Sequence, residues 1–369
     1  MTGVLLDPMT VSTRLVELRR KLGPTGSLLV TNLTNIRYLT GFTGSAGMLF
    51  VLPDATVLVT DGRYEAQAAE QLHASGASAV ALRIAPTAGQ RRIGSELVAE
   101  HPVSSLGLEA AHVSWARQRA LASDWFPGLE LAPTVGLVEG LRAVKDQGEI
   151  HRLAEAARIA DEALDLVRRR LAEGPTEEEF GRHLDFAMRE LGASGPSFET
   201  IVASGPNAAK PHHRPSPRRV EPHEPVVLDF GALLDGYCSD MTRTVWVGAM
   251  THPDLRRAYE VVLAAQAAGV AAVRAGVPAV EVDRACREVI AEAGWADRFV
   301  HGTGHGVGLD IHEAPSVSAV STDTLVTGHV VTVEPGVYLP GIGGVRIEDT
   351  VVVTDDGCRP LTGTPKDRI

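Results

Sequence analysis

Two stretches in the second half of this 369-residue chain set acidic residues inside runs of β-branched and aromatic side chains that suit a buried sheet. In the first, Val226-Val227-Leu228-Asp229-Phe230-Gly231 is followed, after Ala232 to Gly236, by Tyr237-Cys238-Ser239-Asp240-Met241-Thr242-Arg243-Thr244-Val245. The Asp235-Gly236 pair between them is a hairpin signal. With those two residues as the loop, Asp229 opposes Thr242 and Asp240 lies one diagonal step away on the same face; a four-residue loop would set the two acids directly opposite. In the second stretch, Val330-Val331-Thr332-Val333-Glu334 leads into a Pro340-Gly341-Ile342-Gly343-Gly344 loop and returns as Val345-Arg346-Ile347-Glu348-Asp349. Strand parity puts Glu334 and Glu348 on a common face, with Tyr338 and Arg346 beside them.

A single acid in a strand reads as part of a solvated face. Four acids in two hairpins, each within an apolar run, are another matter, because buried carboxylates without compensation are prohibitive. A dinuclear cation site compensates them economically. Oxygen donors can chelate and bridge, and hard or borderline ions such as Mn²⁺ suit an oxygen-rich set with one histidine. That histidine comes from His301-Gly302-Thr303-Gly304-His305-Gly306-Val307-Gly308-Leu309-Asp310-Ile311-His312-Glu313. Its alternating glycines argue against a helix, and so against a helical zinc pair of histidines. They let the backbone pass close to a metal or a substrate instead.

Together these segments resemble the pita-bread metallopeptidases, in the branch that holds aminopeptidase P and prolidase. The resemblance rests on Asp229 and Asp240 of the Asp-Phe-Gly and Ser-Asp-Met-Thr-Arg-Thr segments, His305 of the glycine-rich run, Glu334 of Glu-Pro-Gly-Val-Tyr and Glu348 of Arg-Ile-Glu-Asp. It implies that Asp229 chelates one ion, His305 and Glu334 hold the other, and Asp240 and Glu348 bridge. The ions would be two divalent metals, Mn²⁺ first, with Co²⁺ or Zn²⁺ as alternatives, and would activate water against a peptide carbonyl. Glu334 is also the candidate for taking a proton from that water. His312 would hydrogen-bond the developing oxyanion, and His212, in Ala203-Ser204-Gly205-Pro206-Asn207-Ala208-Ala209-Lys210-Pro211-His212, would contact the scissile bond or relay a proton to the leaving nitrogen. His213 competes for that assignment. Arg346 could bind a bridging carboxylate, a substrate carboxylate or a structural partner; Tyr338 could be pocket wall or hydrogen-bond donor.

By the same resemblance the leaving group is the nitrogen of proline. An Xaa-Pro bond is a tertiary amide without an N–H, and a pocket lined in part by His301 and His312 would accept its ring. The expected activity is that of an Xaa-Pro aminopeptidase acting on peptides with proline in second position. Xaa-Pro dipeptidase (prolidase) is the alternative, since the ligand set does not separate the two. The segments Asn35-Ile36-Arg37-Tyr38-Leu39-Thr40-Gly41-Phe42 and Asp61-Gly62-Arg63-Tyr64 incline the reading to the aminopeptidase. Methionine aminopeptidase would not need such an N-terminal domain, and creatinase lacks the complete ligand set. A non-enzymatic binding module on the same fold would have lost the ligands.

The expected fold class is α/β in two domains, a creatinase-like N-terminal domain over residues 1–138 and a pita-bread α+β catalytic domain over 139–369. Length alone favours two domains, and 44% hydrophobic residues suffice for their cores. A net charge of −11 argues against nucleic acid as a partner. The run Met1 to Pro8 has no basic start and too short an apolar stretch for a signal peptide, and nothing approaches a membrane span. Cys238, Cys286 and Cys358 are odd in number and without motif spacing, so free thiols in the cytoplasm are expected. The resemblance adds a homodimer or higher homo-oligomer.

Along the chain, helices are expected near Thr13–Leu22, Tyr64–Ala74, 91–100 and 114–123, alternating with strands near 28–31, 48–52, 57–60, 79–84 and 106–108. The pattern from Glu139 to Glu173 is strongly helical and charged, and Gly174-Pro175 ends it. Thr176 with Glu179 offers a capping box for a helix reaching Leu191. Two further helices, near 253–275 and 279–293, separate the carboxylate hairpins, suggesting an internal pseudo-twofold without a visible repeat.

Overall fold

The computed structural model describes residues 6–23 and 26–366; Met1–Leu5 of the N-terminal run lie outside the described residues. Contacts divide the chain into two units, one spanning Pro8–Arg142 and the other Ala143 onward with the residues before Pro8.

The first unit runs α1 (Val11–Leu22), β1 (Leu28–Val30), α2 (Leu33–Thr40), β2 (Met48–Val51), β3 (Thr56–Thr60), α3 (Glu65–Ala74), β4 (Ala81–Ile84), α4 (Thr87–Glu100), β5 (Ser105–Glu109), α5 (Trp115–Ala120), β6 (Glu130–Thr134) and α6 (Glu139–Arg142). Its sheet has the order β4-β3-β2-β1-β5-β6. The antiparallel pairs β1–β2 and β2–β3 lie between parallel ones, and Leu29, Phe50, Val59, Leu97, Leu106 and Trp125 belong to its core. Sequence periodicity did not indicate α2, a short helix capped by Asn32 and stopped by Gly41 in the left-handed region.

The second unit begins with α7 (Gln147–Val167) and α8 (Glu177–Glu190). The stretch 139–173 is helical as expected, with one interruption: α6 stops at Arg142, Val144 bridges to His329, and Asp146 restarts the helix with a capping box to Glu149. Asp146 is the stronger local instruction, because its side chain takes the Glu149 N–H that an unbroken helix would bond internally. The capping box at Thr176 and Glu179 is present as expected.

Next come β7 (Gly195–Pro196), β8 (Ile201–Ser204), β9 (Val226–Phe230), β10 (Ala232–Leu234), β11 (Tyr237–Cys238) and β12 (Met241–Val245). Leu234 pairs with Tyr237, so Asp235-Gly236 is the two-residue loop, and both residues have positive φ as a type I′ turn requires. Asp229 then opposes Thr242. Helices α9 (Pro253–Ala272) and α10 (Ala279–Glu292) lead to β13 (Gly304–Gly306), β14 (Glu313–Val317), β15 (Val330–Val333), β16 (Gly336–Leu339), β17 (Gly343–Arg346), β18 (Asp349–Val353) and β19 (Cys358–Pro360). Helices α7 and α8 share a core with β8, β9 and β12, while α9 and α10 share one with β15 to β18.

The hairpins differ from the expected continuous strands. Val333 pairs with Asp349 in one sheet and Gly336 with Arg346 in another, so Glu334 and Glu348 sit where the chain leaves one sheet for the next. Asp240 occupies the equivalent break between β11 and β12. Residues at such breaks keep their facing direction yet free their backbone from the ladder, which suits side chains that must converge on a point.

Candidate active site

All of the site lies within the second unit. One cavity of about 460 Å³ is lined by Asp229, Asp240, His301, His305, His312, Glu334, Arg346 and Glu348, and by the segments 198–201 and 211–214. Every residue singled out in the sequence lines it except Tyr338. Tyr338 is buried behind the wall, where its hydroxyl accepts from Arg346 Nη1 at 2.9 Å and donates to His301 Nε2 at 2.8 Å.

Asp240, His305 and Glu348 each aim one donor atom into a common space, those atoms lying within 4.8 Å of one another. His305 Nε2 stands 3.5 Å from Asp240 Oδ2 and 3.4 Å from Glu334 Oε1. Its Nδ1 faces the Gly306 carbonyl at 3.1 Å, so that nitrogen carries the hydrogen and Nε2 keeps its lone pair toward the carboxylates. Burial lowers the His305 pKa to about 4, leaving a neutral imidazole at physiological pH.

Four carboxylates share this space with Arg346. Burial, then the charges of Glu348, Asp229 and Glu334, pushes Asp240 well above the usual carboxylate range. Burial and the charges of Glu334 and Asp229 do the same to Glu348. Glu334 is pushed up to about 8, burial outweighing the attraction of Arg346. Two buried oxygens, Asp229 Oδ1 and Glu348 Oε1, have no hydrogen-bond partner among the described residues. Unsatisfied carboxylate oxygens, a neutral imidazole lone pair and excess negative charge fit divalent cations by donor chemistry and by charge. The expected ligands Asp229, Asp240, His305, Glu334 and Glu348 therefore suit that group.

Arg346 is held by the protein itself. Its Nη2 pairs with Asp229 Oδ2 at 2.6 Å, Nε donates to Thr242 Oγ1 at 3.1 Å, and Nη1 donates to the Pro211 carbonyl at 3.2 Å as well as to Tyr338. Of the alternatives left open for it, the geometry matches a carboxylate-orienting ion pair. Thr242 in turn donates to Glu348 Oε2 at 2.7 Å. Its place opposite Asp229 was legible in the hairpin; its contact with Glu348 was not.

The chain Arg346 to Tyr338 to His301 ends with His301 Nδ1 facing the Gly302 carbonyl at 2.8 Å. Burial lowers the His301 pKa to about 4, and both its nitrogens are satisfied, so the cavity receives the face of a neutral ring. His312 stacks edge-on against His305, ring centres 4.2 Å apart. Both His212 and His213 line the cavity, but His213 Nε2 lies 2.8 Å from the buried carboxylate of Glu177 while the His212 ring has no hydrogen-bond partner among the described residues. Phe198, Glu199, Ile201 and Arg214 also line the cavity, and no motif or periodicity in the sequence marks them; Ile311 lines it from within the glycine-rich run. A Cβ at Gly304 would stand 2.0 Å from the Thr332 carbonyl oxygen, and one at Gly306 2.2 Å from that of Ala314, so neighbouring backbone leaves no room for side chains there, while Gly302 and Gly304 also line the cavity.

Fold and site together define a hydrolase-type centre of carboxylates and imidazole, carried by an α+β unit that follows a separate α/β unit. Residues 151–355 match metallopeptidase family M24, and residues 14–144 match the creatinase/prolidase N-terminal domain. The chain is 41% identical to the uncharacterized peptidase YqhT of Bacillus subtilis over 96% of its own length and 99% of that protein. Among solved structures it is similar to an Xaa-Pro dipeptidase from Bacillus anthracis (38% identity, TM-score 0.91, 97% of this chain and 99% of that one). It is also similar to an X-Pro aminopeptidase from Thermotoga maritima (33% identity, TM-score 0.87, 95% and 99%). This chain is a member of metallopeptidase family M24, with the pita-bread catalytic domain expected from its motifs.

Proposed function

We propose that the chain is a dinuclear-metal exopeptidase that hydrolyses the Xaa-Pro bond at the N-terminus of peptides. The observation that carries the reading is the convergence of Asp229, Asp240, His305, Glu334 and Glu348 in one cavity with two orphaned carboxylate oxygens. Two divalent ions, Mn²⁺ or alternatively Co²⁺ or Zn²⁺, would be held by these side chains and would supply acidified water and a polarised carbonyl. Glu334 accepts the proton of the attacking water, kept within reach by the Thr332 hydroxyl that donates to its Oε1 at 3.2 Å. His312 donates to the developing oxyanion, and His212, with its ring nitrogens uncommitted, delivers a proton to the departing nitrogen. The neutral face of His301, backed edge-on by Phe299 with ring centres 5.0 Å apart, packs against the pyrrolidine ring of proline.

Aminopeptidase and dipeptidase are two forms of this reading. The inclination toward the aminopeptidase drawn from the N-terminal segments is matched by the likeness to a structure described as an Xaa-Pro dipeptidase, so the dipeptidase form has at least equal support. Mn²⁺-dependent hydrolysis of an Xaa-Pro-Yaa tripeptide beside the Xaa-Pro dipeptide, with Asp240→Ala as the blank, separates them. Cleavage of the tripeptide supports the aminopeptidase and cleavage of the dipeptide alone the dipeptidase. Metal-independent cleavage, or none of either, would sink the proposal.

A further inference from the structure

Helix α8 opens with three acids, Glu177, Glu178 and Glu179, which by themselves do no more than suit a helix N-terminus. Glu177 is unlike the other two in being fully buried and in facing six donors from one segment. Its Oε1 accepts from Ser204 N and Ser204 Oγ, both at 2.7 Å, and from Asn207 Nδ2 at 3.1 Å. Its Oε2 accepts from Ser216 N at 3.0 Å and Ser216 Oγ at 2.6 Å, and stands 2.8 Å from His213 Nε2. A single carboxylate thus ties both ends of the stretch 204–216 to α8. The part of that stretch lying between the ties carries Pro211, His212 and His213 into the cavity wall.

A second tie comes from β17. Arg346, which orients Asp229, also donates to the Pro211 carbonyl. His212 therefore lies between a residue held by Arg346 and one held by Glu177. Neither clamp touches its ring, which is left to point at whatever occupies the cavity. His213 has the opposite character, its ring nitrogen being taken up by a carboxylate outside the cavity lining.

We propose that Glu177 is a positioning residue that acts through His213 and Ser216 to hold His212 over the scissile bond, and that His213 is an anchor and not the reacting histidine. The proposal rests on the Xaa-Pro peptidase reading for the role of His212. Glu177→Gln keeps the shape of the side chain but turns an amide NH₂ onto one set of donors, so it loosens the segment without emptying the space. His213→Gln is the companion variant, because it cuts one arm of the clamp and leaves Glu177 in place to maintain the fold.

Two measurements on the holoenzyme decide the matter. In amide exchange, both variants should lose protection across 204–216 while the hairpins bearing the metal ligands keep theirs. In kinetics on an Xaa-Pro peptide, Glu177→Gln should lower kcat by roughly 10- to 100-fold with little change in KM, the size expected when a reacting group is displaced by about an ångström. That loss should vanish in a His212→Ala background, because a residue acting through His212 has nothing left to position. Multiplicative losses in the double variant, or unchanged protection of 204–216 in both single variants, would overturn the proposal. Wild-type enzyme inactive on every Xaa-Pro substrate would instead remove the peptidase reading, and the exchange arm, which involves no substrate, would still decide whether Glu177 clamps the segment.

Discussion

Arg346 spends four of its five N–H donors on protein partners, and its charge is already paired with Asp229. The other arginine of the cavity lining, Arg214, is exposed and pairs with the exposed Glu199 at 3.3 Å. A dipeptide whose proline carries a free carboxylate would thus find its cationic partner at Arg214, in competition with Glu199. Exposed ion pairs contribute about 1 kcal/mol at most. Arg214→Ala should raise KM for an Xaa-Pro dipeptide by roughly twofold to fivefold and leave the C-terminally amidated dipeptide unaffected; equal changes for both would rule out carboxylate recognition by this residue. Tyr338 belongs to the same scale. Tyr338→Phe removes the hydroxyl that links Arg346 to His301, leaving two buried groups each short of a partner, and should cost about 1–3 kcal/mol in denaturant unfolding. Because His301 also loses the bond that fixes its ring, KM for proline-containing peptides should rise in the same variant.

At the scale of elements, the clearest local signals were also the ones realised. Thr176 accepts from Glu179 N at 3.1 Å while the Glu179 side chain accepts from Thr176 N at 2.8 Å. Thr176→Ala should therefore cost about 1 kcal/mol, read as a shifted unfolding midpoint with an unchanged denaturant slope. Because α8 also presents Glu177, the same variant should reduce protection of 204–216 in amide exchange. The Asp235-Gly236 turn was equally legible, since positive φ at both positions is a local requirement that few residue pairs meet. Its register then put Asp229 and Asp240 on one face with no tertiary information. What could not be read are features imposed by distant partners. Strand β13 carries three residues, two of them glycines, and exists because β14 and β15 flank it. Strand β8 is placed by its pairing with β9, and Val144 by its bridge to His329. Glu177 reads in sequence as one acid among three at a helix start, and only the return of the chain at Ser204 and Ser216 gives it a different role. Gly304→Ala tests that tertiary logic directly. Its methyl group would collide with the Thr332 carbonyl, so β13 must shift against β15, at a cost of roughly 1–3 kcal/mol, and carry His305 out of place.

At the scale of the whole molecule, the second unit stores a charge imbalance that links its stability to pH and to metal. Asp240, Glu334 and Glu348 all have pKa values raised in the folded chain, chiefly by burial, with Glu334 near 8. A carboxyl group with a raised folded pKa binds its proton more tightly folded than unfolded, so between its unfolded and folded values the unfolded state releases more protons and stability falls as pH rises. For Glu334 that window runs from about 4.5 to about 8. Divalent cations reverse the sign, because they bind the ionised ligands and gain affinity as protons leave. Thermal unfolding of the second unit should therefore respond to Mn²⁺ weakly near pH 5 and strongly near pH 8, where chelation lowers its midpoint by at least several degrees. The first unit has its own core and none of the proposed ligands, so its unfolding should show no such dependence. Glu348→Gln removes one of the raised groups and one proposed ligand together, and should both flatten the pH dependence of the chelated protein and shrink the response to Mn²⁺. A metal effect that stayed constant from pH 5 to pH 8 would mean that these carboxylates are not what the cation binds.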